Sequence, residues 1–160
     1  MKKDIENGLP KYWIITKLGE VIKWGSGGTP SRKIKEYFTG DIPWIKTGEL
    51  THKYIYDSQE KISAEAVEET SAKIFPKDSV LIAMYGASIG KISILKTEAS
   101  TNQACAVGQS NSDCLYNEFL YYYLLIFCFI ILLLLITVVT FLYFYFLAIH
   151  LFNITFTISA

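Results

Sequence analysis

Charge is absent from the last quarter of this 160-residue chain, since every Asp, Glu, Lys and Arg lies at or before Glu118. The 15 basic and 15 acidic residues cancel, so the charged part has no excess that would by itself attract or repel nucleic acid. A run of about 40 uncharged residues would be very improbable if charge were spread evenly. We therefore expect two unlike domains, a globular one over residues 1–118 and a hydrophobic tail over residues 119–160.

Cysteine and histidine are also scarce. The three cysteines are odd in number and show no CxxC spacing, which argues against a disulfide framework and against a zinc site. Neither His52 nor His150 has a persuasive serine or cysteine partner for nucleophilic catalysis. We therefore expect no catalytic residue, no metal site and no cofactor, and hence a protein that is not an enzyme.

The amino terminus, MKKDIENGLPKYW, lacks the apolar core of a secretory signal peptide. We therefore expect a cytoplasmic protein. The apolar tail leaves membrane association through residues 126–149 open.

Short β-branched and aromatic runs alternate with glycine and proline in the charged part, a pattern typical of strands joined by turns. It predicts strands over residues 79–85, 91–97 and 102–107, and another in WIKTGEL that ends near Gly48. Ser63 is typical of a helix N-cap, and Phe75 and Pro76 would close that helix. A second helix should begin at Asn117. The pattern predicts a mixed, strand-rich domain followed by a helix that runs into a hydrophobic C-terminal helix.

The segment GASIGKIS resembles a phosphate-binding P-loop, because Gly86, Gly90 and Lys91 stand almost as that motif requires. The spacing is one residue short, however, and the residues after Lys91 alternate as in a strand, whereas a P-loop needs a helix there. The segment therefore predicts a tight β-hairpin, in which Lys91 could still contact a phosphate.

The predicted loops carry side chains of the types that contact DNA. Arg and Lys suit guanine and phosphate, Asn and Gln suit adenine, and hydroxyl groups suit phosphate. Chemistry alone is also consistent with ordinary solvated loops. The candidate DNA-binding residues are Thr29, Ser31, Arg32, Lys33, Lys46, Thr47, Tyr85, Ser88, Lys91, Asn102 and Gln103.

Several separated motifs favour the DNA-binding interpretation. They are GLPKYWIITKLGEV, SGGTPSR, YFTGDIPWI, KIFPKDSVLIAMYGASIGKISIL and NQAC. In this order they resemble the N-terminal target recognition domain of the specificity (S) subunit of type I restriction-modification systems, over roughly residues 8–125. The resemblance implies an α+β fold that recognises one half of a bipartite site on double-stranded DNA. It also implies that separate methyltransferase (M) and restriction (R) subunits are the partners and perform the chemistry.

After Leu125 the sequence departs from the family's pattern. The family implies a polar continuation with a PLPPLEEQ-like segment and a long helix that docks the M subunits, but this chain continues as IFCFIILLLLITVVTFLYFYFLAI. One hypothesis is a frameshift near Leu125, which would make the protein a truncated, non-functional specificity subunit without its docking helix. The alternative is a tail-anchored membrane protein with a globular interaction head.

Overall fold

The computed structural model of the protein describes residues 5–6, 9–10, 15–110 and 115–158. The chain divides into two compact units, Met1–Tyr121 and Tyr122–Ala160. The boundary that we expect after residue 118 from charge alone stays a prediction.

Among the described residues, the strands of the first unit form three sheets. The smallest is an antiparallel pair, β1 (Ile5–Glu6) with β2 (Leu9–Pro10). The other strands are β3 (Ile22–Ser26), β4 (Ile42–Ile45), β5 (Tyr54–Ile55), β6 (Glu60–Ile62), β7 (Ile74–Phe75), β8 (Val80–Ala83), β9 (Ile92–Leu95), β10 (Ala99–Thr101) and β11 (Cys105–Ser110). They form a four-stranded sheet in the order β6-β4-β10-β7 and a five-stranded sheet in the order β3-β11-β8-β9-β5.

Among the described residues before Asn117, the helices are short. They are α1 (Leu18–Val21), α2 (Ala64–Glu69) and two 3-10 helices at Lys35–Phe38 and Thr47–Glu49. A long helix, α3, begins at Asn117 as predicted and ends at Ile158. The strand-rich sheets and the C-terminal helix confirm the α+β class.

The main core contains buried side chains from both larger sheets. Ile45 and Phe75 of the four-stranded sheet belong to one buried cluster with Leu81, Leu95 and Val107 of the five-stranded sheet. Burying a large aliphatic or aromatic side chain stabilises a fold by about 1.5–3 kcal/mol. This shared core therefore fixes the two sheets to each other, and with them the loops at their ends.

The N-cap prediction for α2 is confirmed, because Ser63 Oγ accepts a hydrogen bond from the Ala66 N–H at 3.3 Å. The predicted end of this helix is wrong, because it stops at Glu69 instead of reaching Phe75. Thr70 Oγ1 donates to the Ala66 carbonyl and accepts from the Ala72 N–H, which closes the last turn. Residues 74–75 instead pair with β10 at the edge of the sheet. The helical spacing of apolar residues in the sequence predicts, by contrast, that these residues belong to the helix.

The hairpin prediction is confirmed. Strands β8 and β9 pair in antiparallel register, and β9 follows Lys91 directly, where a P-loop would have a helix. Gly86 and Gly90 have φ angles of +82° and +78°, in the region that glycine enters without steric cost. The turn therefore requires these two glycines for its backbone shape.

Two other strands are displaced from their predicted positions. The strand in WIKTGEL ends at Ile45, and a 3-10 helix occupies Thr47–Glu49. The predicted strand over residues 102–107 begins at Cys105 and reaches Ser110, after the short strand β10. Both differences place turns where we expected extended chain, and these turns carry candidate site residues.

Candidate nucleic-acid interface

Two strands of the four-stranded sheet bring distant candidates together. Strands β4 and β10 are parallel, with Trp44 opposite Ser100 and Ile45 opposite Thr101. Because parallel strands end at the same edge of a sheet, Lys46 and Thr47 emerge beside Asn102 and Gln103. The Asn102 N–H donates to the Ile45 carbonyl at 3.0 Å, so the two strand ends are hydrogen-bonded to each other.

The glycine loop after β3 is fixed to the same edge. The Gly28 N–H donates to the Thr101 carbonyl at 3.0 Å, and the Gly28 carbonyl accepts from Nε1 of buried Trp44 at 3.0 Å. These bonds place exposed Thr29 next to Gln103, whose Oε1 accepts a hydrogen bond from Thr29 Oγ1. The loop and the end of β10 therefore form one polar surface.

Arg32 and Lys46 meet at a carboxylate that we did not identify from the sequence. Glu60 of β6 accepts a hydrogen bond from Arg32 Nη1 at one oxygen, and from Lys46 Nζ at the other at 2.5 Å. The Arg32 and Lys46 side chains lower the Glu60 pKa to about 2, with the Arg32 hydrogen bond as the largest cause. Glu60 therefore carries its negative charge at neutral pH.

Arg32 also lies over two aromatic rings. Its guanidinium carbon is 4.3 Å from the centroid of Phe38 and 5.2 Å from that of Trp44. The two rings meet edge to face, with centroids 5.8 Å apart. Contact of a guanidinium with aromatic faces is attractive and limits the side chain's freedom. Arg32 therefore has a defined orientation although 55% of its side chain is exposed.

The hairpin between β8 and β9 borders this edge. The Met84 N–H donates to the Ala104 carbonyl at 2.9 Å, one residue beyond Gln103, and Tyr85 follows Met84. Tyr85 and Lys91 are exposed and Ser88 is half-buried. The structure thus joins the hairpin candidates to the strand-end candidates through the backbone.

Ser31 and Lys33 lie on the exposed turn that carries Arg32. The Lys33 N–H donates to Ser31 Oγ at 3.4 Å, which shapes this turn. The two side chains therefore belong to the same loop surface as Thr29.

Sequence reasoning missed Glu60 and the aromatic support beneath Arg32. Glu60 is separated from Arg32 by 28 residues, and its register opposite Trp44 on the neighbouring strand is what brings it to the site. The alternation of polar and apolar residues in the segment EKI is consistent with a strand. The segment does not reveal, however, which basic side chains Glu60 binds.

Cys105 and His52 both lie near candidate residues, since the Cys105 N–H donates to the Asn102 carbonyl at 3.2 Å and His52 lines one cavity with Lys46. Burial raises the pKa of the Cys105 thiol to about 12, so it stays protonated and unreactive. His52 is exposed, with Nδ1 3.0 Å from its neighbour Thr51 Oγ1. Within the described ranges, no group of three or more His, Cys, Asp and Glu residues could hold a metal ion.

Comparison with known proteins identifies one family. The family model described as type I restriction modification DNA specificity domain matches residues 10–156. Among curated proteins, the specificity subunit of type I restriction enzyme MjaIX from Methanocaldococcus jannaschii is 41% identical over 120 residues, which is 71% of this chain and 27% of that protein. The EcoprrI specificity subunit from Escherichia coli is 32% identical over 123 residues, which is 73% of this chain and 29% of that protein.

Solved structures show the same fold. The crystal structure of the HsdS subunit from Thermoanaerobacter tengcongensis superposes with a TM-score of 0.59 at 20% identity, over 73% of this chain and 28% of that one. The chain thus spans less than a third of the length of each of these proteins.

Proposed function

The chain belongs to the family of type I restriction modification DNA specificity domains, and we propose that residues 1–118 form its target recognition domain. This domain binds double-stranded DNA and reads one half of a bipartite site. The observation that carries the proposal is the shared edge of β4 and β10, where residues from three distant loops present base-reading and phosphate-binding groups together.

The candidate residues divide into two roles by their chemistry. Gln103 carries an exposed amide group of the type that pairs with adenine, whereas the side-chain oxygen of Asn102 is buried. Arg32 carries the planar guanidinium group that pairs with guanine. Lysines and hydroxyl groups suit phosphate oxygens, which position a protein on DNA without selecting a sequence. We assign the second role to Thr29, Ser31, Lys33, Lys46, Thr47, Tyr85, Ser88 and Lys91.

We propose that this chain performs no chemistry on DNA itself and acts in the cytoplasm with M and R subunits of a type I complex. Its curated relatives are named as specificity subunits of such enzymes. Residues 126–160 are apolar where we expect a polar pattern that docks the M subunits, so we expect weak assembly with them. Co-purification of a stoichiometric complex with an M subunit would contradict that expectation.

Replacing Lys91 with glutamine should weaken binding of the full chain to a dye-labelled duplex of random sequence. Each lysine that neutralises a phosphate contributes about 0.9 to the slope of log affinity against log salt. We expect Lys91→Gln to reduce this slope by about 0.9. Fluorescence anisotropy over a salt series, with the chain in mild detergent, measures both quantities.

Lys77→Gln is the matched control. Lys77 is also exposed but follows β7 at the end remote from the edge where β4 and β10 terminate. Its replacement should leave the salt slope unchanged. If the unsubstituted chain shows no salt-sensitive binding, the proposed function is wrong; if both variants lose the same slope, the assignment of Lys91 is wrong.

We also propose that a frameshift near Leu125 produced the apolar tail. The loss of every charged residue and of the expected polar pattern supports this proposal. Translating the gene in its other two frames tests it. A polar, PLPPLEEQ-like continuation in one frame is expected, and its absence from both would refute the idea.

A membrane anchor is the second candidate for the tail, and the helix itself favours it. Residues Asn117–Phe144 form a helical stretch of 28 residues that is long and apolar enough to cross a membrane. At 1.5 Å per residue it measures about 42 Å, beyond the ~30 Å of a hydrocarbon core. Thr137 Oγ1 donates to the Leu134 carbonyl and Thr140 Oγ1 to the Ile136 carbonyl, so these hydroxyl groups are satisfied within the helix.

Substituting Leu133 and Leu134 with lysine should weaken insertion of the full chain into liposomes. A charged residue at the centre of a spanning helix costs about 2.5–3.5 kcal/mol on insertion scales, so two would cancel much of the gain from the apolar residues of the helix. Flotation after a carbonate wash measures insertion. The pair Leu133→Ala and Leu134→Ala should float as the unsubstituted chain does, and equal flotation of the lysine and alanine variants would contradict an anchor.

A further inference from the structure

Glu60 is an acidic residue within a group of basic side chains. It lies on β6, an edge strand, opposite Trp44 of β4, and Lys46 follows two positions after Trp44. Its two carboxylate oxygens accept from different partners, one from Arg32 and the other from Lys46. A single carboxylate therefore holds two candidate DNA contacts that are 14 residues apart in the chain.

The contact with Glu60 leaves Arg32 able to bind a second group. A guanidinium has five N–H donors, and the bond to Glu60 uses one. The Phe38 and Trp44 rings both contact the guanidinium, while more than half of the Arg32 side chain remains exposed. Its remaining donors therefore belong to a group of restricted freedom, which favours the paired contacts that a guanine edge requires.

The same carboxylate reduces the attraction of this surface for phosphates. Arg32 and Lys46 carry two positive charges, and Glu60 cancels one of them. Binding that is independent of sequence depends on how many phosphates the basic residues neutralise, whereas recognition of a base depends on geometry. A residue that lowers the charge and fixes the geometry therefore disfavours random DNA more than a matching site.

We propose that Glu60 is a specificity-determining residue, which orients Arg32 towards a guanine edge and limits the binding of Arg32 and Lys46 to phosphates outside the target site. This inference rests on the DNA-binding function proposed above.

Replacing Glu60 with glutamine should therefore strengthen binding to random DNA and weaken discrimination. Glutamine keeps the size and the strand backbone but removes the charge. We expect affinity for a random-sequence duplex to rise about two- to fivefold, as for the loss of one exposed charge pair. The slope of log affinity against log salt should steepen by about 0.9.

Discrimination is measured as a ratio of affinities. A duplex enriched from a random library by the unsubstituted full chain serves as the preferred ligand, and the random duplex as the reference. The ratio should fall in Glu60→Gln.

Glu98→Gln is the matched control, because Glu98 is exposed and precedes β10 at the end of the strand remote from the site. This substitution makes the same change in net charge. It should alter neither the affinity for the random duplex nor the ratio of the two affinities.

A further variant separates this role from a general effect on folding. Adding Arg32→Gln to Glu60→Gln should remove part of the gain in random-duplex affinity, because Arg32 is one of the two cations that Glu60 binds. Equal behaviour of Glu60→Gln and Glu98→Gln would overturn the proposal while leaving DNA binding intact. Absence of salt-sensitive binding by the unsubstituted chain and by Glu60→Gln would overturn both.

Discussion

Trp44→Ala should lower the free energy of unfolding of the first unit by about 3–5 kcal/mol, the range for truncating a large buried aromatic residue. Trp44 is 2% exposed and packs with Tyr37, Ile62 and Ala66 in a second buried cluster. Its removal leaves a cavity and also leaves the Gly28 carbonyl without the indole donor. Because the same ring contacts Arg32, the substitution should lower the stability of the fold and also change the orientation of Arg32 in the site.

Two further substitutions separate these contributions. Trp44→Phe keeps most of the apolar surface but loses the bond to Gly28, and should cost about 1–3 kcal/mol. Trp24→Ala is the control for removing an indole, because Trp24 is 39% exposed on β3 and should cost less than Trp44. Pulse proteolysis of the full chain over a urea series measures the folded fraction without relying on tryptophan emission. Equal urea midpoints for the two alanine variants would contradict a central role for Trp44.

Local features of the fold could be predicted from the sequence because their causes are local. Gly86 and Gly90 set the turn of the hairpin through their own backbone angles, and Ser63 caps the first turn of α2 through its own hydroxyl. The end of α2 was not predictable in this way. Ile74 continues the helical periodicity, but pairing with β10 satisfies the backbone of residues 74–75 as a strand.

The composition of the site could be predicted, but its arrangement could not. Polar residue types suited to DNA are visible in the sequence, and hence the candidates include both Lys46 and Gln103. Their proximity depends on the parallel pairing of β4 with β10, two short strands more than 50 residues apart. Neither strand is long enough for its sequence pattern to specify which strand it pairs with. The partners of the basic side chains, and Glu60 above all, are therefore known only from the structure.

The glycine loop shows how closely the fold constrains this site. A Cβ atom added to Gly27 would lie 1.9 Å from the Thr101 carbonyl oxygen and 2.4 Å from Thr101 Oγ1. Both distances are far inside contact, and the nearest atom belongs to the backbone of the buried strand β10. Any side chain at this position therefore has to move the loop away from the strand.

Gly27→Ala should consequently destabilise the first unit by about 3 kcal/mol, at the upper end of the usual cost of overpacking. Moving the loop breaks the bond from the Gly28 N–H to Thr101 and shifts Thr29 away from Gln103, so DNA affinity should also fall under conditions in which the chain is still folded. Urea midpoints from pulse proteolysis and anisotropy with a random-sequence duplex measure the two effects.

Gly48→Ala is the matched control for Gly27→Ala. A Cβ atom there meets nothing within 4 Å, and Gly48 lies in a 3-10 helix next to the candidates Lys46 and Thr47. Alanine at a compatible backbone position stabilises a protein by about 0.4–1 kcal/mol, since it restricts the unfolded chain. Gly48→Ala should thus raise the urea midpoint slightly. A fold that tolerates Gly27→Ala as well as Gly48→Ala would show that the loop is not held against β10, and the arrangement of Thr29 and Gln103 would then need another cause.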